Sequence, residues 1–344
     1  MKGRVIVLGE VKARPSAALW IDGRIEDLVV TPPDDRSRPG AIYRATADRP
    51  LKGQGGMMMR LPDGMGFFRG AKGLTPGQSL LVQVTSVPEP GKAVLVTDRV
   101  LFKGRSVIVT PMAPGLNISR RIKDDDVRID LHDLATEVMG DSKFGLIMRS
   151  AAADLDLDDI QAELEALLAT ATQVMNDTGT MPELLLEGPD GHELAWREWA
   201  SPPPDAIEQG PTAFDDLGVS EEIDVALGPM ETLPSQATLF VEPTRALVAV
   251  DVNTGPDTSP SATLKANIAA AKALPRALRL RGLGGQITVD FAPLSKRDRR
   301  QVEGALRAAF RADPVETALV GWTPLGHFEL QRKRERMPLK EAIG

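Results

Sequence analysis

Three polar side chains in the last third of the chain have the types and spacing for chemistry on a phosphate ester. In VAVDVNTG, Asp251 and Asn253 stand two residues apart at the end of an apolar run, so on a strand they leave the same face. In ITVDF, Asp290 also ends an apolar run. A helix between the two runs would return the chain and let both strands enter one sheet. Both carboxylates would then emerge at one edge, where open α/β sheets bind ligands. Two carboxylates and an amide make a hard-oxygen set suited to Mg²⁺, or to Mn²⁺, with the other positions left to water and a phosphate oxygen. On spacing alone the alternative is that strand-end aspartates cap helices or bond to loop amides.

Composition closes other routes. The chain has 344 residues and no cysteine, which excludes a thiol nucleophile, an iron–sulfur cluster and zinc held by thiolates. With only three histidines, His132, His192 and His327, a histidine-rich metal site is not expected, and the three read as surface or packing residues. No apolar run is long enough to span a bilayer and the N-terminus has no signal-like core, so the expectation is a cytoplasmic protein without a membrane partner. The formal charge of −7 discourages a nucleic-acid partner only if charge is spread evenly. It is not: residues 124–166 and 183–232 are acidic, whereas 276–336 hold Arg276, Arg279, Arg281, Lys296, Arg297, Arg332, Arg336 and other bases. Arg120, Arg121 and Lys123 form a further basic cluster. The bases of 276–300 and 332–336 either solvate an outer face or line the path of a polyanion.

The elements that must position these groups follow from periodicity. The first hundred residues read as short strands between Gly/Pro turns, the pattern of a small antiparallel barrel such as an OB-fold. Strands at 106–111 and 144–150 follow, with a loop between them. Residues 156–175 predict a helix with Ile160, Leu164, Leu167, Leu168, Ala171 and Met175 on one face. TLFVEPTRALVAVDVN predicts a hairpin turning at EPTR. A helix over 261–281, kinked at Pro275, leads to the Gly-led strand GLGGQITVDF. Ser295 and Asp298 then predict a capped helix burying Val302, Ala305, Leu306, Ala309 and Phe310. The fold class is thus multi-part α/β with an inserted barrel.

Several ordered motifs resemble one family. ALVAVDVNTG, the helix ending in RLRGLGGQITVDF, and QVEGALRAAF resemble the catalytic core of the ribonuclease E/G family. Upstream, SAALWIDGRIEDLVV, GLNISRRIKDD and FGLIMRSAA resemble further family stretches in the same order. The resemblance implies a Mg²⁺-dependent endoribonuclease that cuts single-stranded RNA and leaves 5′-phosphate and 3′-hydroxyl ends. It puts the metal-binding aspartates on Asp251 and Asp290 and the active-site asparagine on Asn253. It also implies an RNase H-like part (1–40 and 179–235), an S1-like OB-fold (41–103), a 5′-sensor (104–178) and a DNase I-like catalytic part (236–344).

By the same resemblance Arg149 and Ser150 would hold a 5′-monophosphate; the alternative for Arg149 is a solvated strand-end arginine. Arg120 and Arg121 would also meet RNA. In the barrel, Phe67 matches a base-stacking phenylalanine and Lys92 a family lysine, but methionines replace the other aromatic in GGMMMRL. Phe67 or Phe68 could instead be core. The chain departs from larger members in having no CPxC-type zinc link, so the expectation is no zinc and no zinc-linked tetramer. PDTSPSATLKAN also lacks an acidic pair often found before the family's helix. The rival expectation is an RNA-binding protein of this fold with weak or no nuclease activity.

Overall fold

The computed structural model describes residues 3–33, 36–51, 53, 55–70, 73–88 and 91–344. The chain divides into two compact units, one of Met1–Pro32 with Glu208–Gly344 and one of Pro33–Ile207.

In the first unit, Arg4–Val11, Arg14–Ile21 and Arg24–Val30 form an antiparallel meander. A six-stranded sheet follows in the order Met230–Thr232, Thr238–Pro243, Val248–Asn253, Gly285–Asp290, Phe328–Arg332, Thr317–Trp322. The expected hairpin is present, Thr238–Pro243 running antiparallel to Val248–Asn253. The only way to make the next neighbour parallel is a crossover, and the helix Pro260–Leu280 supplies it, with Pro275 inside. Val248, Val250, Val252, Ile287 and Val289 alternate into a core shared with Ala270, Leu274, Val302, Leu306 and Phe310 of the two helices Pro260–Leu280 and Lys296–Ala312. Ser295 caps the second helix by accepting from the Asp298 N–H.

The glycines of GLGG have a packing reason. A Cβ on Gly282 would lie 2.1 Å from the Met337 carbonyl oxygen, and one on Gly284 2.5 Å from that of Lys333. The chain after Phe328–Arg332 therefore crosses directly over this turn.

In the second unit, Ile42–Leu51, Gly56–Leu61, Gly64–Arg69, Val94–Thr97 and Ser79–Val84 form a closed five-stranded barrel, consistent with an OB-fold; Ser79–Val84 closes it on Ile42–Leu51. A second sheet has the order Leu116–Ile118, Gly145–Met148, Val107–Thr110, Phe102–Lys103. Two helices cover it. Leu157–Met175 matches the expected helix, burying Ile160, Leu164, Ala171 and Val174. Asp125–Met139 lies where a loop is expected between strands. Its signal is weak because only Leu131 and Ala135 are buried; its start is fixed by Asp124, whose side chain accepts from the Asp126 and Val127 N–H groups. Among the described residues no helix is long and apolar enough to cross a membrane.

Candidate functional site

Asp251 and Asp290 are register partners on adjacent parallel strands. Alternation sends their neighbours Val250, Val252 and Val289 into the core and leaves Asp251, Asn253 and Asp290 exposed on one face. Asn253 Nδ2 donates to Asp251 Oδ2 at 2.6 Å, so the amide braces the carboxylate. His327 Nε2 stands 3.8 Å from Asp290 Oδ1, too far for a hydrogen bond. Contrary to the expectation that no histidine belongs to a site, it thus borders this one. Among the described residues neither carboxylate is paired with a lysine or arginine.

A cleft of about 800 Å³ opens beside the pair and is lined also by Asn253, Thr263, Phe291 and Ser295. Both covering helices begin at it, since Pro260 and Asp298 belong to its wall. Ser259 and Ser295 cap these helices by accepting from the Ala262 and Asp298 N–H groups, and three carboxylates, Asp251, Asp290 and Asp298, line the cleft.

Two supporting contacts set the loops that follow the aspartates. Asn267 is fully buried; it donates from Nδ2 to the Ala292 carbonyl at 2.9 Å and accepts from the Ala292 N–H at 3.0 Å. After Asn253, Gly255 passes so close to the Pro234–Gln236 turn that a Cβ would lie 2.2 Å from the Ser235 carbonyl oxygen. Ser235 and Gln236 both carry positive φ, at 60° and 59°.

The donor set fits Mg²⁺. Two like-charged carboxylates share one sheet edge, among the described residues without a lysine or arginine paired to either, and an amide stands beside them. Among the described residues no group of three or more His, Cys, Asp or Glu could hold a metal. The pair would therefore leave most coordination positions to water and phosphate oxygens, which Mg²⁺ prefers.

In the other unit, Gly145–Met148 and Leu116–Ile118 are parallel, with Ile118 opposite Met148. Arg149 and Ser150 therefore leave the sheet at the same edge as Arg120 and Arg121. The latter two are exposed. Arg149 is not the solvated arginine of the alternative reading, for its side chain is 25% exposed and both terminal nitrogens are engaged. It donates from Nη1 to the carbonyls of Gly104 at 2.7 Å and Arg197 at 3.4 Å, and from Nη2 to Glu198 Oε2 at 2.8 Å. The Gly104 turn is itself fixed by Glu163, which accepts from the Ser106 N–H at 2.8 Å and from the Arg105 N–H and Ser106 hydroxyl.

Of the two readings of Phe67, stacking face or core, the structure follows the core one: it is 9% exposed, its ring against Gly56, where a Cβ would meet it at 2.5 Å. Phe68 is buried as well, among Met57, Met59 and Val96. The glycine opposite draws the Phe67 ring onto the barrel, so it offers no open platform. Lys92 is exposed.

Within the basic stretches five arginines depart from both expectations, whereas Lys296, Arg297 and Arg300 are exposed and remain compatible with either. Arg279 pairs with Glu26, Asp27 and Asp313, Arg332 with Asp313 at 3.1 Å, and Arg336 with Asp27. Arg276 and Arg281 both meet Glu231, at 3.6 and 2.7 Å. These arginines neither solvate a face nor line an RNA path; they join the strand Arg24–Val30 and the last turns of the unit to the crossover helix.

Two adjacent parallel strands thus end in register-matched aspartates, joined by a crossover helix and bordered by one cleft at the edge of an α/β sheet. The Ribonuclease E/G family model matches residues 102–208 and 204–335, and the chain belongs to that family. It is 29% identical to Ribonuclease E of Nostoc sp. (strain PCC 7120 / SAG 25.82 / UTEX 2576), over 95% of this chain and 56% of that protein. Against Ribonuclease E of Synechocystis sp. (strain ATCC 27184 / PCC 6803 / Kazusa) the identity is 27% over 98% of this chain and 58% of the relative. Against Ribonuclease G of Escherichia coli (strain K12) it is 28% over 78% of this chain and 62% of the relative. The chain thus spans less than two thirds of the length of these curated relatives.

Proposed function

We propose that the chain is a Mg²⁺-dependent endoribonuclease that cuts single-stranded RNA to 5′-phosphate and 3′-hydroxyl ends, in RNA processing or decay. The observation that carries this reading is the register match of Asp251 with Asp290 at the edge of the cleft. Residues 236–344 are read as a DNase I-like catalytic part, and residues 1–40 and 179–235 as an RNase H-like part. Asp251 and Asp290 would hold Mg²⁺, or Mn²⁺. When bound, such an ion supplies charge neutralisation at the scissile phosphate and an activated water. Asn253 braces Asp251 and keeps its second oxygen directed, while Asn267 holds the loop that follows Asp290. Arg149 and Ser150 bind a 5′-monophosphate, with Arg120 and Arg121 on the same edge and Lys92 on the barrel adding contacts to the RNA backbone.

The test is cleavage of a 5′-monophosphorylated, A/U-rich oligonucleotide with Mg²⁺ by wild type, Asp251→Asn and Asp290→Asn. Each variant should lose about 100-fold or more in rate while still binding the RNA. A wild type that binds but cuts no faster than the variants ends the enzyme reading.

A further inference from the structure

The Glu198 carboxylate sits between two guanidiniums. Its Oε2 accepts from Arg149 Nη2 at 2.8 Å and its Oε1 from Arg197 Nε at 2.7 Å. Burial works to raise its carboxyl group, but Arg149 and Arg197 outweigh that and hold it below the usual carboxylate range. Helix economy does not account for this placement. Glu198 lies in the last turn of Gly191–Trp199, the end at which the helix dipole disfavours a negative charge. What keeps it there is the pair of arginines, one of which is the arginine assigned above to the RNA 5′ end.

We propose that Glu198 is a resident competitor for the 5′-phosphate: Arg149 and Arg197 form an anion seat that this carboxylate fills, and that an RNA end takes only by displacing it. The inference rests on the 5′-end reading of Arg149. The geometry makes displacement feasible. Glu198 is 42% exposed, so its side chain can swing into water, whereas Arg149 stays fixed by the Gly104 and Arg197 carbonyls. Competition with a built-in carboxylate also sets the selectivity. A terminal phosphomonoester carries about −1.5 to −2 charges at pH 7 and three acceptor oxygens, more than the carboxylate it replaces. An internal phosphodiester carries a single charge and has no such advantage, and a 5′-hydroxyl has none. Glu198 is thus a specificity-determining residue, reserving the seat for monophosphorylated ends.

The experiment is binding without cleavage, by fluorescence anisotropy of 5′-monophosphate and 5′-hydroxyl versions of one oligonucleotide in EDTA. Wild type, Glu198→Gln, Glu198→Ala and Arg149→Ala are compared, with circular dichroism confirming that each is folded. Both Glu198 variants should bind the 5′-monophosphate RNA about tenfold tighter than wild type, and the hydroxyl-ended RNA should gain too because internal phosphates can now enter. Arg149→Ala should remove the preference for the monophosphate. If Arg149→Ala removes it but neither Glu198 variant tightens binding, Glu198 merely orients Arg149 and the competitor proposal is overturned. If wild type shows no 5′ preference and Arg149→Ala changes nothing, the 5′-end reading itself fails and takes this proposal with it.

Discussion

Asn267 and Ala292 hold each other by two hydrogen bonds, one in each direction, across 25 residues of chain. The amide thereby satisfies both backbone groups of the residue two positions after Asp290. Asn267→Leu leaves a buried N–H and a buried carbonyl without partners, each costing about 1–3 kcal/mol. Urea denaturation should show a loss in that range or above. Cleavage under conditions where the variant stays folded should fall as well, because the Asp290 loop loses its anchor. Unchanged kinetics in a folded variant would separate this clamp from the chemistry.

Burial of Phe67 changes what its removal does. Phe67→Ala should destabilise the protein by about 3–5 kcal/mol, as expected of a core phenylalanine. Denaturation and RNA affinity measured on the same samples distinguish this from a stacking role. A variant with native stability and weaker RNA binding would restore the exposed-platform reading.

Gly255 has a steric requirement that polar loops rarely carry. Gly255→Ala would place a methyl group 2.2 Å from the Ser235 carbonyl oxygen unless the loop after Asn253 shifts. Overpacking of this kind costs about 1–3 kcal/mol. The thermal midpoint should fall, and cleavage should fall more than stability, because the displaced backbone carries Asn253. A variant as stable and active as wild type would show that the Pro234–Gln236 turn yields freely.

The Asp27 carboxyl group predicts an acid limb in stability. Burial works to raise it, but Arg336 and Arg279 dominate and hold it below its ordinary value. A depressed carboxyl stabilises the fold above its unfolded pKa of about 3.9, and that contribution is lost as pH falls through the lower folded value. Thermal melts from pH 7 down to pH 2 should show wild type losing stability below about pH 4. Asp27→Asn should lower stability by about 3–5 kcal/mol at pH 7, since it strands buried arginine charge, and should flatten the acid limb. An equally steep acid limb in the variant would assign it to other carboxylates.

How far these features can be read from sequence depends on how local their causes are. Asp251, Asn253 and Asp290 are legible because a two-residue alternation and an apolar strand end lie within a few positions of each. The helices Leu157–Met175 and Lys296–Ala312 show themselves by apolar spacing, and the second also by its capping serine. The helix Asp125–Met139 escapes because two buried residues make too narrow a stripe. Asn267 is equally silent, since its partner is backbone that any residue would supply. The arginines mislead for a related reason: a run such as QRKRER displays charge but not the partner, and Arg336 finds Asp27 more than 300 positions away. Glu198 carries no signal at all until folding sets it against Arg149.

The arginines already paired with carboxylates of their own unit change how this protein would meet a polyanion. Arg276, Arg279, Arg281, Arg332 and Arg336 already face Glu26, Asp27, Glu222, Glu231 or Asp313. They are not available to replace condensed counterions on RNA, so the entropy released on association comes from other, exposed cations. The dependence of affinity on salt should accordingly be shallower than the composition of residues 276–336 suggests, and the complex correspondingly tolerant of ionic strength. A chain rich in arginine over residues 276–336 would then recognise RNA less by bulk charge than by directional contacts at the sheet edge.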